Sequence, residues 1–251
     1  MPESTLYQAL LWAFLAIAVV TFPILWFVTA PYGRHVKPSW GPTIDNRLGW
    51  LIMESPAALG FFLCWLFGDR PTGLASLVFL GLWELHYIHR AFVFPFRLGN
   101  TKKRMPIVVM SMGFVFTTTN GYLNGRWLFD FAPSSVSVTD LHFWAGVCVF
   151  LVGFAINQHA DWVLLHLRKP GETGYKVPRG GLYRYITCPN YFGEIIEWIG
   201  FALCTFSLPA LVFAIWTTAN LLPRARSHHR WYKETFPDYP PERKALIPFI
   251  F

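Results

Sequence analysis

The sequence has 251 residues, of which 54% are hydrophobic, 18% are aromatic and only 14% are charged, and its mean hydropathy is +0.37. Soluble domains carry about 25% charged residues, so this composition excludes an ordinary soluble protein and indicates one embedded in a membrane. The formal net charge of +7 is typical of basic loops on the cytoplasmic side of a membrane, and we therefore expect no nucleic-acid partner.

Seven apolar runs follow one another along the chain, and each predicts a transmembrane helix. The first run is too long for the apolar region of a signal peptide and has no basic segment before it, so we interpret it as a retained helix. The last two runs are short, and the Ser-Leu-Pro sequence between them predicts a tight turn or a kink. The runs are 6–30, 48–68, 73–96, 105–122, 141–167, 191–206 and 208–222.

Lysine and arginine are distributed unevenly among the connections between these runs. Eighteen of the 21 lie in the first, third and fifth connections and in the C-terminal tail, whereas the second and fourth connections hold one each. Because cytoplasmic loops are enriched in these residues, the pattern predicts seven spans with the N-terminus outside and the C-terminus in the cytoplasm. We expect a multi-pass protein of the inner membrane in a bacterium, or of the endoplasmic reticulum in a eukaryote.

Polar residues in the last three runs and in the segments that directly adjoin them align on single helical faces when each residue advances by about 100°. A charged side chain at the bilayer centre costs about 2.5–3.5 kcal/mol even on the lenient insertion scale, so these faces are expected to turn inward around a polar cavity open to the cytoplasm. The faces are formed by Asn157, Asp161 and Arg168, by Asn190, Glu194 and Glu197, and by Arg224, His228 and Tyr232.

The second and third runs also carry polar residues. Interhelical hydrogen bonds in membranes average only about 0.6 kcal/mol, which offsets little of the insertion cost, so we interpret the polar faces together as a ligand cavity. Within that set, we interpret Glu84 and Glu197 as structural residues that join helices. The polar residues are Glu54 in the second run, and Glu84, His86, Tyr87, His89 and Arg90 in the third.

Neither a metal site nor a common nucleotide motif is predicted. The eight histidines are too sparsely spaced for the clustered boxes of a di-iron oxygenase, and no GxGxxG or P-loop pattern occurs. The fifth connection, 168–190, is the longest and is broken by proline and glycine. Because it is also rich in Tyr and Leu, we expect it to pack as a cap on the cytoplasmic mouth of the cavity.

Several long motifs resemble the steroid 5α-reductase family, closest to its animal-type branch. They are "PYGRH" after the first run, "LHYIHRAFVFPF" in the third, "KPGETGYKVPRGGLYRYITCPNYFGEIIEWIGFAL" and the terminal "FPDYPPERKALIPFIF". The resemblance extends from about residue 31 to residue 251. It implies an all-α, polytopic membrane protein whose seven transmembrane helices enclose a cytoplasm-facing cofactor cavity. We expect one domain, 1–251, with the N-terminal half on the substrate side and the C-terminal half on the cofactor side.

The resemblance also implies an activity and the residues that carry it. The family reduces the double bond of a 3-oxo-Δ4 steroid with NADPH, and Glu54 and Tyr87 match the pair that holds the 3-carbonyl oxygen. Glu194 then accepts a hydrogen bond from the nicotinamide carboxamide, with Asn190 beside it. The positions that match the cofactor site are Asn157, Asp161, Arg168, Tyr175, Asn190, Glu194, Arg224, His228 and Tyr232.

The chemistry of a conjugated enone explains why such residues are needed. The β carbon becomes electrophilic only when the carbonyl oxygen can take up negative charge, so the expected protein contribution is positioning and electrostatics. Tyr87 and a protonated Glu54 can each donate a hydrogen bond to that oxygen, and one such donor is typically worth about 2.7–4 kcal/mol. A steroid or related enone lipid is the expected partner, together with membrane lipid, and no obligate protein partner is evident.

Two positions depart from the family, and two other functions stay open. Family members commonly have Gln where this chain has Met53 and Arg where it has Met112, both near the expected substrate end. An isoprenylcysteine-type methyltransferase that uses S-adenosylmethionine has a similar C-terminal cofactor region but does not require Glu54 and Tyr87. A non-catalytic sterol-binding protein would keep the cavity without the hydride chemistry.

Overall fold

The computed structural model describes residues 2–29, 40–69, 73–98, 103–132, 136–169, 172 and 174–251. The "PYGRH" motif lies outside the described residues, as do Pro170, Gly171 and Thr173 of the fifth connection.

Helices dominate the described chain, and each predicted apolar run corresponds to one continuous helical segment. A π-helical turn, His89–Val93, joins α3 to α4 without a break, and a second π-helical turn, Trp127–Phe131, extends α5. The expectation of a largely helical fold is therefore confirmed. The helices are α1 Glu3–Phe27, α2 Asn46–Phe67, α3 Leu74–Ile88, α4 Phe94–Arg97, α5 Ile107–Arg126, α6 Leu141–Leu165, α7 Pro189–Thr205 and α8 Leu208–Thr235.

Three of these helices, α1, α2 and α6, are long and apolar enough to cross a membrane by length and composition. A spanning helix needs about 20 residues, whereas α7 has 17 and α3 has 15 before the π-helical turn begins. The described helices therefore fit a membrane protein, and the count of seven spans stays a prediction.

A small antiparallel ribbon, absent from the helical prediction, aligns the starts of α2 and α5. Strand β1, Thr43–Asp45, pairs with strand β2, Arg104–Pro106. The Arg104 guanidinium donates to the Thr43 side-chain oxygen at 2.7 Å and to its carbonyl oxygen at 2.6 Å. Asp45 then caps α2 by accepting hydrogen bonds from two backbone N–H groups of its first turn.

Glycines let the backbones of α6 and α7 approach each other closely. A Cβ atom added at Gly153 would collide with the backbone of Glu197, and one added at Gly193 would collide with the backbone of Asn157. Small residues permit this kind of contact between helices in membranes. As a consequence, the polar residues of the two helices face each other at short range.

The last two helices meet in a tight turn, one of the two predicted arrangements. Phe206 adopts a left-handed conformation with φ of 46°, and the Ser207 side chain caps α8 by accepting from the backbone N–H of Ala210 at 3.4 Å. Helix α8 then continues to Thr235, well past the predicted end at residue 222, and it carries the predicted polar face beyond the apolar part of the helix.

The fifth connection packs against the C-terminal tail through an ordered polar cluster. Thr187 accepts or donates hydrogen bonds at 2.6 Å to His229 and at 2.7 Å to Tyr239, and Ile186 forms an isolated parallel bridge with Lys244. Tyr183, in the 3-10 helix Gly181–Arg184, is buried. The described part of this connection is therefore packed, as its composition predicted.

Candidate active site

The candidate substrate residues lie on two neighbouring helices and face the same region. Tyr87 on α3 is buried, and Glu54 on α2 and Glu194 on α7 lie close enough to act on it electrostatically. Aromatic rings form the wall behind Tyr87, with the Trp83 ring centroid at 4.9 Å and that of Trp198 at 5.7 Å. Residues from three helices thus converge, which spacing along the sequence alone cannot predict.

The Tyr87 hydroxyl has a partner on a fourth helix. Asn120, buried on α5, approaches the hydroxyl oxygen with its side-chain nitrogen at 3.1 Å. Asn124, one turn later, bonds in turn to Asn120. Neither asparagine is among the residues predicted from the sequence, although two amides four residues apart near an apolar run are typical of an inward-facing helical side.

Arg90 lies between two acids of the candidate cofactor site. Its guanidinium is 3.7 Å from a carboxylate oxygen of Asp161 on α6 and 3.9 Å from one of Glu194 on α7. The same guanidinium stacks over the rings of Trp50, at 4.7 Å, and Phe94, at 5.0 Å, a favourable arrangement for a cation. Arg90 therefore connects the helices that carry the substrate residues to those that carry the cofactor residues.

Arg90 lies within the π-helical turn His89–Val93. Such turns add a residue to the helical repeat and occur frequently at functional sites. Because the residue period of such a turn differs from that of an α-helix, a regular helical wheel drawn for the third run does not fix the direction of the Arg90 side chain. The sequence places Arg90 among the polar residues of the predicted ligand cavity, but it does not predict the contacts of Arg90 with Asp161 and Glu194.

Hydrogen bonds between α6 and α7 form the polar frame around Arg90. Asn157 donates from its side-chain amide to the carbonyl oxygen of Asn190 at 3.0 Å, and Asn190 donates to Asp161 at 3.2 Å. The close backbone contact of the two helices makes these short distances possible. Asn157, Asp161, Asn190 and Glu194 are thus brought together, as the polar faces predicted.

The prediction that Arg168 shares a helical face with Asp161 is wrong. Helix α6 ends at Leu165, so the 3.6-residue period does not extend to Arg168. Its guanidinium instead donates to the carbonyl oxygen of Gly174 at 3.1 Å within the fifth connection.

The remaining candidates form aromatic and cationic contacts along α8. The Arg224 guanidinium lies 5.1 Å from the centre of the Tyr191 ring, and the His228 ring is 3.1 Å from the Tyr191 hydroxyl. Tyr175 packs edge-on against Trp231, with ring centroids 5.0 Å apart. Tyr232 is buried against Tyr239 at 5.4 Å. These residues extend the site from the acid cluster toward the fifth connection.

Glu197 joins helices, as predicted. It is fully buried on α7, and its carboxylate lies 2.8 Å from His86 on α3. Glu84 differs from its prediction. It lines a groove of about 610 Å³ on the outer surface between α2 and α3, and its Oε1 atom has no hydrogen-bond partner among the residues that the structure describes.

The polar atoms of the site fit a ligand with an amide and an anionic part. Within the described chain, Oδ2 of Asp161 is buried without a hydrogen bond, so it can accept one from a carboxamide or hydroxyl group. Arg224 supplies a cation close to this cluster, because its guanidinium lies 5.1 Å from the centre of the Tyr191 ring, next to Asn190 in the sequence. A nicotinamide dinucleotide carries both kinds of group, and the residues present are compatible with it.

Comparisons with known proteins match the whole chain. A sequence model of the family described as "3-oxo-5-alpha-steroid 4-dehydrogenase" matches residues 103–251. The chain is 42% identical to the steroid 5-alpha-reductase DET2 of Gossypium hirsutum, over 99% of each chain. It is 40% identical to the 3-oxo-5-alpha-steroid 4-dehydrogenase 1 of Bos taurus over 100% of this chain and 99% of the relative. It is 39% identical to the human protein of the same name over 99% and 97%. These matches do not favour the methyltransferase or the non-catalytic alternative.

Proposed function

The chain belongs to the 3-oxo-5-alpha-steroid 4-dehydrogenase family, and from this membership we propose that it reduces the Δ4 double bond of 3-oxo-Δ4 steroids with NADPH. The observation that carries the proposal is identity of about 40% along nearly the full length of both plant and mammalian relatives named for this activity. The convergence of Tyr87, Glu54 and Glu194 from three helices supports it.

On the substrate side, Tyr87 and a protonated Glu54 donate hydrogen bonds to the carbonyl oxygen of the enone. Negative charge develops on this oxygen as the β carbon is attacked, so both bonds strengthen in the transition state. The aromatic wall of Trp83 and Trp198 excludes water from the same place, which makes each donor more effective than it would be in solution.

On the cofactor side, α6, α7 and α8 hold the nucleotide. Glu194 and Asn190 bind the carboxamide of the nicotinamide, and Arg90 holds the Glu194 carboxylate in place. Arg224 and His228 lie further along toward the fifth connection and hold the more polar part. When bound, NADPH supplies a hydride to the β carbon of the substrate.

The proposed reaction needs one hydride and one proton, and water supplies the proton. The hydride brings two electrons to the β carbon, the π electrons of the double bond move toward the carbonyl, and an enolate forms. The enolate oxygen is stabilised by Tyr87 and Glu54. Protonation of the α carbon, with water as the source of the proton, then gives the saturated ketone.

The two ligands reach the site by different routes. The steroid is flat and apolar and enters from the lipid, whereas the charged nucleotide enters from the cytoplasmic side, where the basic connections and the C-terminal tail lie. The N-terminal half of the single domain, 1–251, thus carries the substrate residues and the C-terminal half carries the cofactor residues. Arg168, with Lys169 or Arg179 as weaker candidates, binds the 2′-phosphate that distinguishes NADPH from NADH.

Kinetics of Tyr87→Phe test this proposal directly. The substitution removes one donor and leaves the ring, so we expect kcat for a 3-oxo-Δ4 steroid to fall about 10²–10³-fold while the KM changes much less. Glu54→Gln, which retains an N–H donor, should be milder than Glu54→Ala. A wild-type rate in folded, NADPH-binding Tyr87→Phe would overturn the role of Tyr87.

A binding and turnover assay of the wild-type protein separates this activity from the methyltransferase and sterol-binding alternatives. Wild-type protein in lipid nanodiscs is incubated with radiolabelled NADPH or S-adenosylmethionine, with and without the steroid. We expect saturable NADPH binding and steroid reduction. Binding of S-adenosylmethionine alone, or steroid binding without turnover, would contradict the proposed activity.

A further inference from the structure

We propose that Asn120, held by Asn124, is a positioning residue that directs the Tyr87 hydroxyl proton toward the substrate carbonyl. The inference rests on the proposed role of Tyr87 and adds the device that sets the direction of its hydrogen bond. A tyrosine hydroxyl can either donate or accept, and only donation toward the substrate assists the reaction.

The chain of hydrogen bonds begins at a backbone atom whose role is fixed. The Asn124 side-chain nitrogen lies 3.1 Å from the carbonyl oxygen of Asn120 and 3.0 Å from Oδ1 of the Asn120 side chain. A carbonyl oxygen can only accept, so the atom facing it must be the NH₂ group of Asn124. Turning this amide over would put its oxygen against two acceptors, which is a repulsive arrangement.

The orientation of Asn124 then fixes that of Asn120. Because Oδ1 of Asn120 receives the Asn124 N–H, the other side-chain atom of Asn120 is its NH₂ group, and this group lies 3.1 Å from the Tyr87 hydroxyl oxygen. The amide donates and the hydroxyl accepts. The single hydroxyl proton of Tyr87 is therefore directed away from α5.

Burial stabilises this direction of the Tyr87 hydroxyl proton. Tyr87, Asn120 and Asn124 are 2%, 0% and 1% exposed, so water does not compete for their hydrogen bonds. Oδ1 of Asn124 has no partner among the described residues, so the amide orientation rests on the two hydrogen bonds that its NH₂ group donates to Asn120. Hydrogen bonds in such a chain also strengthen one another, so the Asn120 N–H makes the Tyr87 hydroxyl a better donor.

A purely structural reading assigns the two asparagines to holding α5 against α3. That reading requires only that a bond exist between Asn120 and Tyr87 and is indifferent to which group donates. The positioning role requires the amide to donate. A substitution that keeps the shape of Asn120 but allows its polarity to be reversed therefore separates the two readings.

Asn120→Asp is that substitution. The protonated carboxyl has one O–H donor and one carbonyl acceptor, so it donates to Tyr87 and accepts from Asn124 as the amide does. The ionised carboxylate can only accept, so Tyr87 must turn its proton toward it and away from the steroid. We expect the ratio of variant to wild-type kcat to fall at least tenfold as pH rises through ionisation of the introduced carboxyl, with the KM for NADPH unchanged.

Other ionisable groups around Tyr87 require controls. They are Glu54 from α2, Glu194 and Glu197 from α7, and His86 beside it on α3. The kcat of the variant at each pH is divided by the kcat of the wild type at the same pH. This ratio removes the effect of these groups on the pH dependence, because they are present in both proteins. In a Tyr87→Phe background, Asn120→Asp should produce no new pH dependence, because the hydroxyl that it reorients is absent.

The outcomes distinguish this inference from the proposed function. A pH-independent ratio in an Asn120→Asp protein that folds and binds NADPH would overturn the positioning role, whereas a wild-type protein that reduces no 3-oxo-Δ4 steroid would overturn the proposed function and the inference with it. If Asn120→Asp does not fold, Asn124→Leu is measured instead, because it frees the Asn120 amide to turn over. We then expect kcat to fall about tenfold with a smaller change in steroid KM, and a wild-type kcat would overturn the inference.

Discussion

The guanidinium of Arg90 lies 3.9 Å from the carboxylate of Glu194, and this contact joins the two halves of the proposed site. Arg90 follows Tyr87 by three residues on the substrate side, whereas Glu194 belongs to α7 on the cofactor side. A displacement of either residue would therefore change the geometry of both the substrate site and the cofactor site. Asp161, at 3.7 Å from the same guanidinium, makes Arg90 the cation shared by a buried acid and a partly buried one.

Arg90→Leu should destabilise the protein and weaken cofactor binding. Removing one partner of a buried ion pair leaves uncompensated charge, and such changes cost about 3–5 kcal/mol. The distances here are long, so we expect about 3 kcal/mol, measured as a loss of unfolding free energy in detergent, together with weaker NADPH binding. Arg97→Leu is the matched control, because Arg97 is exposed on α4. Equal effects of the two substitutions would contradict the shared role of Arg90.

Gly200→Leu should separate α6 from α7. A Cβ atom at Gly200 would collide with the backbone of Phe150, which cannot move aside as a side chain can, whereas a Cβ at Gly60 on α2 meets no atom within 4 Å. We expect Gly200→Leu to lower the free energy of unfolding by about 3 kcal/mol or more and to abolish NADPH binding. Gly60→Leu, the matched control, should bind NADPH normally. Normal NADPH binding by Gly200→Leu would refute the importance of this contact.

Arg168→Gln should reduce the preference for NADPH over NADH. A charge-assisted hydrogen bond to the 2′-phosphate is lost, so we expect kcat/KM for NADPH to fall about tenfold and that for NADH to change little. Arg184→Gln provides the control, because Arg184 is an exposed arginine of the same connection. Wild-type protein that uses NADPH and NADH with equal efficiency would remove the basis of this prediction.

The C-terminus should lie in the cytoplasm. Basic residues are concentrated in alternate connections and in the C-terminal tail, and this asymmetry determines the expected orientation. A C-terminal fusion to a reporter that folds only in the cytoplasm should be active, and one to a reporter that works only outside it should be inactive. The opposite pattern of reporter activity would reverse the topology.

The sequence predicted the helices well because their apolar runs are long and their polar faces follow the helical period. For this reason, the helical period correctly predicts that two polar faces meet. They are formed by Asn157 and Asp161 on α6 and by Asn190 and Glu194 on α7. The prediction failed for Arg168, because the helical period was extended past the end of α6 at Leu165.

Other features could not be predicted, because they depend on contacts between distant segments. Arg90 lies in a π-helical turn, and an apolar run does not reveal where such a turn occurs. The role of Asn120 depends on Tyr87, which lies on another helix. The β1–β2 ribbon consists of two three-residue strands far apart in the chain, which are too short to give a periodic signal.

Isotope transfer from the cofactor tests the central claim most directly. Wild-type protein in nanodiscs is incubated with a 3-oxo-Δ4 steroid and NADPH that carries deuterium at the transferred position, and the product is analysed by mass spectrometry and NMR. The account predicts a saturated ketone with one deuterium at the former β carbon and a hydrogen from water at the α carbon. Deuterium at the α carbon or at the carbonyl carbon, or no product from folded protein that binds NADPH, would contradict it.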